Sequence, residues 1–417
     1  MKDIHSSVLV AIDMGSQTFR AMAAEKTERG LLRVLGVEES SQKACVKYGL
    51  VDNTGDAGFM VGNIMKLLGN RIRVENLHSV YVCGGGQSMK IVSVSSSRDL
   101  VHKREITSQL LDKMELECKE KIETKHPDIS VLDLIPSYYV LDGKEQDYKP
   151  TSDQRAIFVE AHYVAFVGKK ELETRVKKTF QQTAISLEHM FVRPEAHMNV
   201  LTSDVDMEQG CAILDFGAQT TTLSLYKGGE CLSTFVQPKG GLDITEKIET
   251  LGISLPYAEH MKCVYGIALP ELITKNRQYV LKGNDGQKVT ISTNQLSETI
   301  ADSLDEILQP IIDVLSREAG RYKVLYITGA GAMLQGIQEY LQKKTTLKVM
   351  YGSHATWLTP DTPDEFCMPQ YSSLVGTLLL AADYRELHPQ VKPFSKNKPI
   401  IERIMDKTLE IFSQSDY

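Results

Sequence analysis

Short apolar runs separated by polar turns recur along most of the chain, and two of these runs end in nearly the same phrase. The run at residues 8–12 leads into Asp13-Met14-Gly15-Ser16-Gln17-Thr18. The run at residues 211–214 leads into Asp215-Phe216-Gly217-Ala218-Gln219-Thr220. A second β-favouring run follows each phrase, so the pattern predicts a strand, a tight turn and a strand at both places.

The residue types in the repeated phrase suit phosphate binding. An Asp at a strand end and a Gly two residues later favour a turn whose backbone N–H groups point outward and form a concavity for an anion. The neighbouring carboxylate can hold a hydrated Mg²⁺, so Asp13 and Asp215 are the predicted metal ligands. One such turn is most simply a hairpin turn, whereas two copies predict a duplicated domain that clamps phosphates between its halves. The predicted phosphate contacts are Asp13, Gly15, Ser16, Gln17, Thr18, Asp215, Gly217, Ala218, Gln219 and Thr220.

Further glycine-rich turns extend the predicted nucleotide site. Gly329, Ala330 and Gly331 follow an apolar strand and precede a helical stretch, and their lack of large side chains would let a base and ribose approach the backbone. Gly240 and Gly241 precede a predicted helix and complete the set. In the next helix Glu259 and Lys262 lie three residues apart on one face, a spacing that by itself favours a surface ion pair.

Composition sets broad limits on the class of protein. At 417 residues the chain is long enough for two or more domains, and a net charge of −7 gives no general attraction for nucleic acid. The seven cysteines are scattered without a Cys-x-x-Cys pair, which favours a reducing compartment. We expect no signal peptide ahead of the strand at Val8, and no apolar run approaches the length of a spanning helix.

The C-terminal stretch differs in kind from the rest. Residues 387–398 carry prolines and lysines and are predicted to be a tether. Residues 399–417 are predicted to form an amphipathic helix that docks on the protein body, a partner groove or a membrane surface. The predicted membrane-contacting positions form one apolar stripe: Ile400, Ile401, Ile404, Met405, Leu409 and Phe412.

The three glycine turns, in this order, resemble the nucleotide-binding fold of actin, Hsp70 and sugar kinases. Four other segments resemble the bacterial cell-division FtsA family more closely. They are Lys47-Tyr-Gly-Leu-Val-Asp52, Ile135-Pro-Ser-Tyr-Tyr139 with Asp142, Ala258-Glu259-x-x-Lys262-x-x-x-Gly266-x-Ala268-Leu269, and Ile327-Thr-Gly-Ala-Gly331-Ala332 with Gly336. In the third segment the resemblance places Glu259 and Lys262 beside the ribose, which reverses the interpretation from spacing alone.

The resemblance implies an α/β fold, namely a duplicated actin-like (ribonuclease H-like) fold with an inserted subdomain and a terminal amphipathic helix. Residues 1–86, 156–191 and 369–386 would form the first domain, with residues 87–155 as its insertion. Residues 192–238 and 311–368 would form the second domain, with residues 239–310 as its smaller subdomain. The 387–398 linker and the 399–417 membrane-targeting helix would follow.

The family's activities are what the resemblance implies for function. They are binding of ATP with Mg²⁺, assembly into actin-like protofilaments, capture of the FtsZ C-terminal peptide and recruitment of later division proteins. The location would be the inner face of the cytoplasmic membrane at the septum, as a peripheral membrane protein, with no nucleic-acid partner.

Three positions depart from the family pattern. Ala218 and Gln219 replace consecutive glycines and are expected to crowd the phosphates, so that the chain is at most a weak ATPase. Ser303 stands where the family has an arginine that helps to hold the FtsZ tail. The terminal helix is not basic. Two alternatives stay open: a pilus-assembly adaptor of the PilM type, and a sugar or metabolite kinase.

Overall fold

A computed structural model describes residues 8–41, 45–75, 77–147 and 149–388. The strands in chain order are β1 (Val8–Met14), β2 (Thr18–Lys26), β3 (Leu32–Ser41), β4 (Val46–Lys47), β5 (Leu50–Val51), β6 (Ser79–Gly84), β7 (Lys90–Glu105), β8 (Ile129–Leu141), β9 (Lys144–Gln146), β10 (Arg155–Lys169), β11 (Ser186–Val192), β12 (Cys211–Phe216), β13 (Thr221–Lys227), β14 (Glu230–Gln237), β15 (Gln278–Lys282), β16 (Lys288–Ser292), β17 (Val324–Thr328) and β18 (Lys348–Tyr351). The α-helices are α1 (Thr54–Ile72), α2 (Ser108–Lys125), α3 (Lys170–Gln181), α4 (Arg193–Leu201), α5 (Asp204–Gln209), α6 (Gly241–Glu249), α7 (Leu255–Tyr265), α8 (Thr293–Arg317), α9 (Ile337–Lys344) and α10 (Ser372–Leu387).

Two five-stranded sheets share one topology. The first has the order β3-β2-β1-β6-β11 and the second the order β14-β13-β12-β17-β18. In both orders the first three strands are antiparallel to one another. The third strand, β1 or β12, also pairs in parallel with the fourth, β6 or β17. β1 and β12 are buried along their whole length, as expected for central strands covered on both faces. The predicted duplicated actin-like fold is confirmed.

The inserted subdomain is larger than its predicted range. Its sheet has the order β7-β10-β8-β9, and α2 packs on it through Leu111, Met114 and Cys118. β10 pairs with β7 on one side and β8 on the other along nearly its whole length. The predicted boundary at residue 155 is therefore wrong, because residues 155–169 form a central strand of the insertion rather than part of the first domain.

Pro136 in β8 lies where the register with β10 shifts by one residue, between the pairs His162↔Tyr138 and Tyr163↔Pro136. A proline fits this irregularity, since it cannot donate a hydrogen bond to a regular ladder.

In the second half, α8 continues through the subdomain boundary that we predicted at residue 310. Its buried stripe, which includes Ile300, Leu304, Ile307 and Ile311, packs in the same core as the second sheet's Leu214 and Leu325. The helix therefore runs without a break across residue 310, where our predicted subdomain boundary falls.

The last described helix returns to the first half. α10 packs against β1, β2 and β6, and Lys26 Nζ contacts the Asp383 carboxylate at 2.7 Å. The helix thus lies against the first sheet, and residues 369–386 are the stretch that we assigned to the first domain. No helix among the described residues is both long and apolar enough to cross a membrane. Most of the linker, the terminal helix and its stripe (Ile400, Ile401, Ile404, Met405, Leu409 and Phe412) lie outside the described residues.

Candidate functional site

The two repeated turns lie close together in a cleft between the two sheets. Gly15, Ser16, Gly217 and Ala218 all line the same two adjoining cavities of about 70 Å³ each. The turns also have one shape, because a Cβ atom on Gly15 would come within 2.7 Å of the Thr18 carbonyl oxygen, and one on Gly217 within 2.8 Å of the Thr220 carbonyl oxygen. The structure therefore brings together the two turns that the sequence pattern pairs.

An arginine that we did not predict stands between the two aspartates. Arg193, the first residue of α4, donates from Nη2 to Asp13 Oδ1 at 2.8 Å and from Nη1 to Asp13 Oδ2 at 3.1 Å. Its Nε lies 3.7 Å from Asp215 Oδ2. Ser373 at the start of α10 donates a further hydrogen bond to Asp13 Oδ2 at 3.0 Å.

The pKa of Asp13 results from opposed effects. Burial alone would raise it, but the Arg193 charge, a smaller contribution from Arg20 and the hydrogen bonds from Arg193 and Ser373 hold it below its usual value. Burial would lower the pKa of Arg193, but the nearby charges of Asp13 and Asp215 and the hydrogen bonds to Asp13 raise it above its usual value. Asp13 and Arg193 are thus a charged, bidentate pair, the strongest class of hydrogen-bonded ion pair.

This arrangement does not fit Mg²⁺ at the predicted ligands. Mg²⁺ binds oxygen ligands in near-octahedral geometry, and a positive charge beside those ligands repels it. Both Asp13 oxygens already accept hydrogen bonds, and the Arg193 guanidinium lies beside the Asp215 carboxylate. Within the described part of the chain, no group of three or more His, Cys, Asp or Glu side chains could hold a metal ion. The prediction of Asp13 and Asp215 as metal ligands is not supported by this geometry.

The second turn is hydrogen-bonded to the start of α6. The Gly241 N–H donates to the Gly217 carbonyl oxygen at 2.9 Å, and the Leu242 N–H donates to the Ala218 carbonyl oxygen at 2.8 Å. A Cβ atom on Gly240 would come within 2.5 Å of the Gly217 carbonyl oxygen. Gly240 and Gly241 therefore hold the turn in place, and the Gly241 and Leu242 donors are engaged before any phosphate arrives.

The Gln219 side chain extends across the cleft to the first half of the molecule. Its side-chain Oε1 accepts a hydrogen bond from the backbone N–H of Tyr48 at 2.9 Å. Tyr48 and Gly49 both have positive φ angles, and a Cβ atom on Gly49 would come within 2.6 Å of the Gly85 carbonyl oxygen. The segment that we linked to a known family is thus a tight turn of the first half that contacts the second half.

A pocket of about 150 Å³ beside the second turn is lined by most of the predicted adenosine-binding residues, whereas Gly329 lines one of the cavities at the two turns. Lys262 Nζ lies 2.8 Å from Glu259 Oε2, 2.7 Å from Thr245 Oγ1 and 2.8 Å from the Gly241 carbonyl oxygen. Burial opposes ionisation of Glu259, but the Lys262 charge and hydrogen bonds from Lys262, Thr245 and Cys263 keep its pKa below the usual value. The pocket-lining residues that we predicted are Gln17, Gly217, Ala218, Gly241, Glu259, Lys262, Ala330 and Gly331.

Close packing requires the glycines of the third turn, and their predicted contact with adenosine stays a prediction. Gly329 has a φ of +82°, and a Cβ atom on it would come within 2.4 Å of Asp215 Oδ1. A Cβ atom on Gly331 would come within 2.5 Å of the Phe216 ring. The glycines allow this turn to pack against the end of β12, and they set the position of Asp215 and of the pocket wall.

Comparisons with known proteins agree with this architecture. The family described as cell division protein FtsA matches residues 212–376. Cell division protein FtsA of Porphyromonas gingivalis is 23% identical over 79% of this chain and 68% of its own length. Over most of its length the chain is similar to the FtsA cell-division proteins. Two solved structures share its fold: a PilM–PilN type IV pilus biogenesis complex, with a TM-score of 0.64, 16% identity and coverage of 89% of this chain and 98% of that one; and MreB5 of Spiroplasma citri bound to ADP, with a TM-score of 0.53, 12% identity and coverage of 92% and 99%.

These likenesses differ in what they show for this chain. The solved structures are too distant in sequence to show more than the fold, which is actin-like. The family likeness is to cell-division proteins. Arg193 in the cleft could not have been found from local pattern, because an Arg-Pro pair at a helix start is ordinary on exposed helices.

Proposed function

We propose that this FtsA relative is an actin-like cell-division protein of the cytoplasmic membrane's inner face. It binds an adenine nucleotide between its halves, assembles with its own copies and tethers FtsZ filaments to the membrane at the septum. It also recruits later division proteins to that place. The likeness to FtsA over most of the chain supports this role, and one observation carries the nucleotide: the duplicated turns meet in one cleft beside the Glu259–Lys262 pocket.

The nucleotide would lie with its adenosine in the pocket that Glu259, Lys262 and Gly331 line. The Glu259 carboxylate is a hydrogen-bond acceptor at the pocket wall, as ribose hydroxyl donors require. The phosphates would extend toward Ser16 and Ala218 in the two turns. The fold relative MreB5 holds ADP, which is consistent with a nucleotide in a cleft of this kind.

The partner peptide of FtsZ would bind the smaller subdomain formed by α6, α7, the β15–β16 hairpin and α8. Ser303, the position that we linked to peptide docking, is only 3% exposed. A side chain this buried cannot contact a peptide on the surface, so the serine does not act as a direct docking residue. The exposed face of the subdomain, which includes Glu306 paired with Lys239 and Lys247, is the surface left for such a contact.

Membrane attachment would rest on the stripe of residues 399–417. Burying an apolar side chain gains roughly 1.5–3 kcal/mol at full depth and less at an interface. One helix would therefore bind weakly, and several copies in a filament would bind strongly through avidity. Because the polar face carries both charge signs, attachment should depend little on anionic lipid.

A reconstitution with the full chain tests this function. Purified protein, vesicles and FtsZ filaments are mixed with ATP, and filament recruitment is followed by co-sedimentation and microscopy. We expect recruitment by the wild-type chain, loss of vesicle binding for Ile404→Glu and retention for the polar-face control Asp406→Asn. If FtsZ filaments stay off the vesicles when the wild-type chain is bound to them, the tethering role is wrong.

A further inference from the structure

Arg193 joins two carboxylates that belong to different halves of the molecule. Asp13 ends the central strand of the first sheet, and Asp215 ends the central strand of the second. Arg193 contacts Asp13 through both terminal nitrogens and approaches Asp215 through Nε. One guanidinium therefore supplies positive charge at the place where a duplicated phosphate clamp would otherwise need it from a cation.

We propose that Arg193 takes the place of the divalent cation in this cleft, so that the nucleotide binds without Mg²⁺ and a diphosphate binds at least as well as a triphosphate. This inference rests on the proposed nucleotide binding for its ligand and on the Arg193 contacts for its chemistry.

Displacing Arg193 in favour of a metal is unfavourable. The Arg193 side chain is 24% exposed and that of Asp13 is 6% exposed, so separating them would leave two largely desolvated charges without partners. Mg²⁺ also gives up its bound waters reluctantly and would meet the guanidinium charge directly. The ion pair with Asp13 thus keeps Arg193 at the position that a metal would occupy.

The charges around Arg193 also favour a short phosphate chain. Asp13 and Asp215 carry two negative charges against the one positive charge of Arg193, and Arg20 nearby is paired with Glu39 at 2.8 Å. The Gly241 and Leu242 N–H groups are bonded to carbonyl oxygens of the second turn and cannot offset an additional phosphate. A third phosphate would therefore add repulsion from Asp215 without gaining a new donor.

Calorimetric titration of the full chain tests the ligand preference. ADP and ATP are each titrated with excess Mg²⁺ and again with EDTA. We expect the dissociation constants to change by less than about threefold with Mg²⁺, and ADP to bind at least as tightly as ATP. Binding that becomes about tenfold or more tighter with Mg²⁺ would overturn the proposal.

A metal titration without nucleotide tests Arg193 itself. Mn²⁺ binding to the full chain is followed by electron paramagnetic resonance. The wild type should show no Mn²⁺ site that depends on Asp215, Arg193→Gln should gain one, and Arg193→Lys, which keeps the charge, should not. A saturable Mn²⁺ site in the wild type that Asp215→Asn removes would overturn the proposal, even if Arg193→Gln does not fold.

The two experiments separate the inference from the function beneath it. If neither nucleotide binds under any condition, the proposed nucleotide binding fails, and the Mn²⁺ titration still decides whether Arg193 excludes a metal. If nucleotide binds and requires Mg²⁺, the proposed function stands and the role of Arg193 as the cation is wrong.

Discussion

Gln219 accepts a hydrogen bond from the backbone N–H of Tyr48 at 2.9 Å, and this bond joins the second half of the molecule to the first. We expected the Gln219 side chain to crowd the phosphates. It instead reaches a turn whose strained backbone, with positive φ at Tyr48, presents its N–H to the cleft. This hydrogen bond between the two halves holds the cleft closed.

Removing this bond should make the cleft open more often. The cavities at the two turns and beside Lys262, of about 70 and 150 Å³, are small beside typical ligand pockets of roughly 300–1,000 Å³, so we expect the proposed nucleotide to enter only when the halves separate. Gln219→Ala should speed amide hydrogen exchange in the 45–52 segment and raise the nucleotide association rate. Gln219→Glu keeps the acceptor oxygen and is the matched control. Equal exchange in Gln219→Ala and the wild type would mean that the bond does not hold the halves.

A second prediction concerns the ion pair of Glu259 and Lys262 in the pocket beside the second turn. The Lys262 side chain is 12% exposed and bonds Glu259, Thr245 and the Gly241 carbonyl oxygen, whereas Lys247 and its partner Glu306 are largely exposed. Lys262→Ala should lower the free energy of unfolding by about 1–3 kcal/mol, because it leaves buried acceptors unpaired. Lys247→Ala is the control and should cost below about 1 kcal/mol.

Urea unfolding of both variants, and of Lys262→Ala combined with Glu259→Gln, measures these losses. The double variant should lose less than the sum of its two single changes, since the residues act as one network. Equal losses for Lys262→Ala and Lys247→Ala would return the pair to the surface interpretation that its spacing first suggested.

The sequence pattern predicted the parts of the fold that depend on local chemistry. Each five-stranded sheet is built on a buried apolar strand that ends in the same Asp-x-Gly phrase, so the repeated phrase by itself indicates the duplication. Strand pairing was harder, because residues 155–169 would satisfy a period-two pattern in either sheet. Only the pairing with β7 and β8 assigned that strand to the insertion.

The site was predicted by position but not by chemistry. The turns, Glu259, Lys262 and the third glycine turn meet as expected. The electrostatic centre was missed, because Arg193 reaches Asp13 only through the path of β11 into the cleft, which no local pattern encodes. The sequence also did not predict the long-range hydrogen bonds by which the start of α6, at Gly240 and Gly241, contacts the second turn.

A third prediction uses the buried carboxyl group of Glu195 on α4. Burial, together with the nearby Asp133 carboxyl group of the inserted sheet, raises the pKa of Glu195 well above its usual value. Its Oε2 atom has no hydrogen-bond partner. The folded protein therefore favours the protonated form, while the unfolded chain ionises near pH 4. This contribution to stability is fully present below the unfolded pKa and is lost as pH rises through the folded pKa.

Glu195→Gln should remove that loss, because a neutral amide does not ionise. In urea unfolding, the variant should gain stability over the wild type at alkaline pH and show little difference near pH 4. Glu208→Gln, a change at an exposed carboxylate, is the control and should follow the wild type. A wild type and variant that keep the same difference across the whole pH range would exclude Glu195 as the source.

The last prediction is that ATP turnover is very slow and that it is limited by engaged donors rather than by the size of Ala218 and Gln219. Hydrolysis requires donors preorganised toward the reacting phosphate. Here the Gly241 and Leu242 N–H groups bind the second turn's carbonyl oxygens, and Arg193 is held by Asp13. We expect phosphate release far below the usual enzyme median of about 10 per second.

The double change Ala218→Gly with Gln219→Gly removes the side chains but leaves those hydrogen bonds in place. The double variant should therefore hydrolyse ATP no faster than the wild type. Asp215→Asn, purified in the same way, measures the background hydrolysis. A large gain from the glycines would show that side-chain crowding was the obstacle after all.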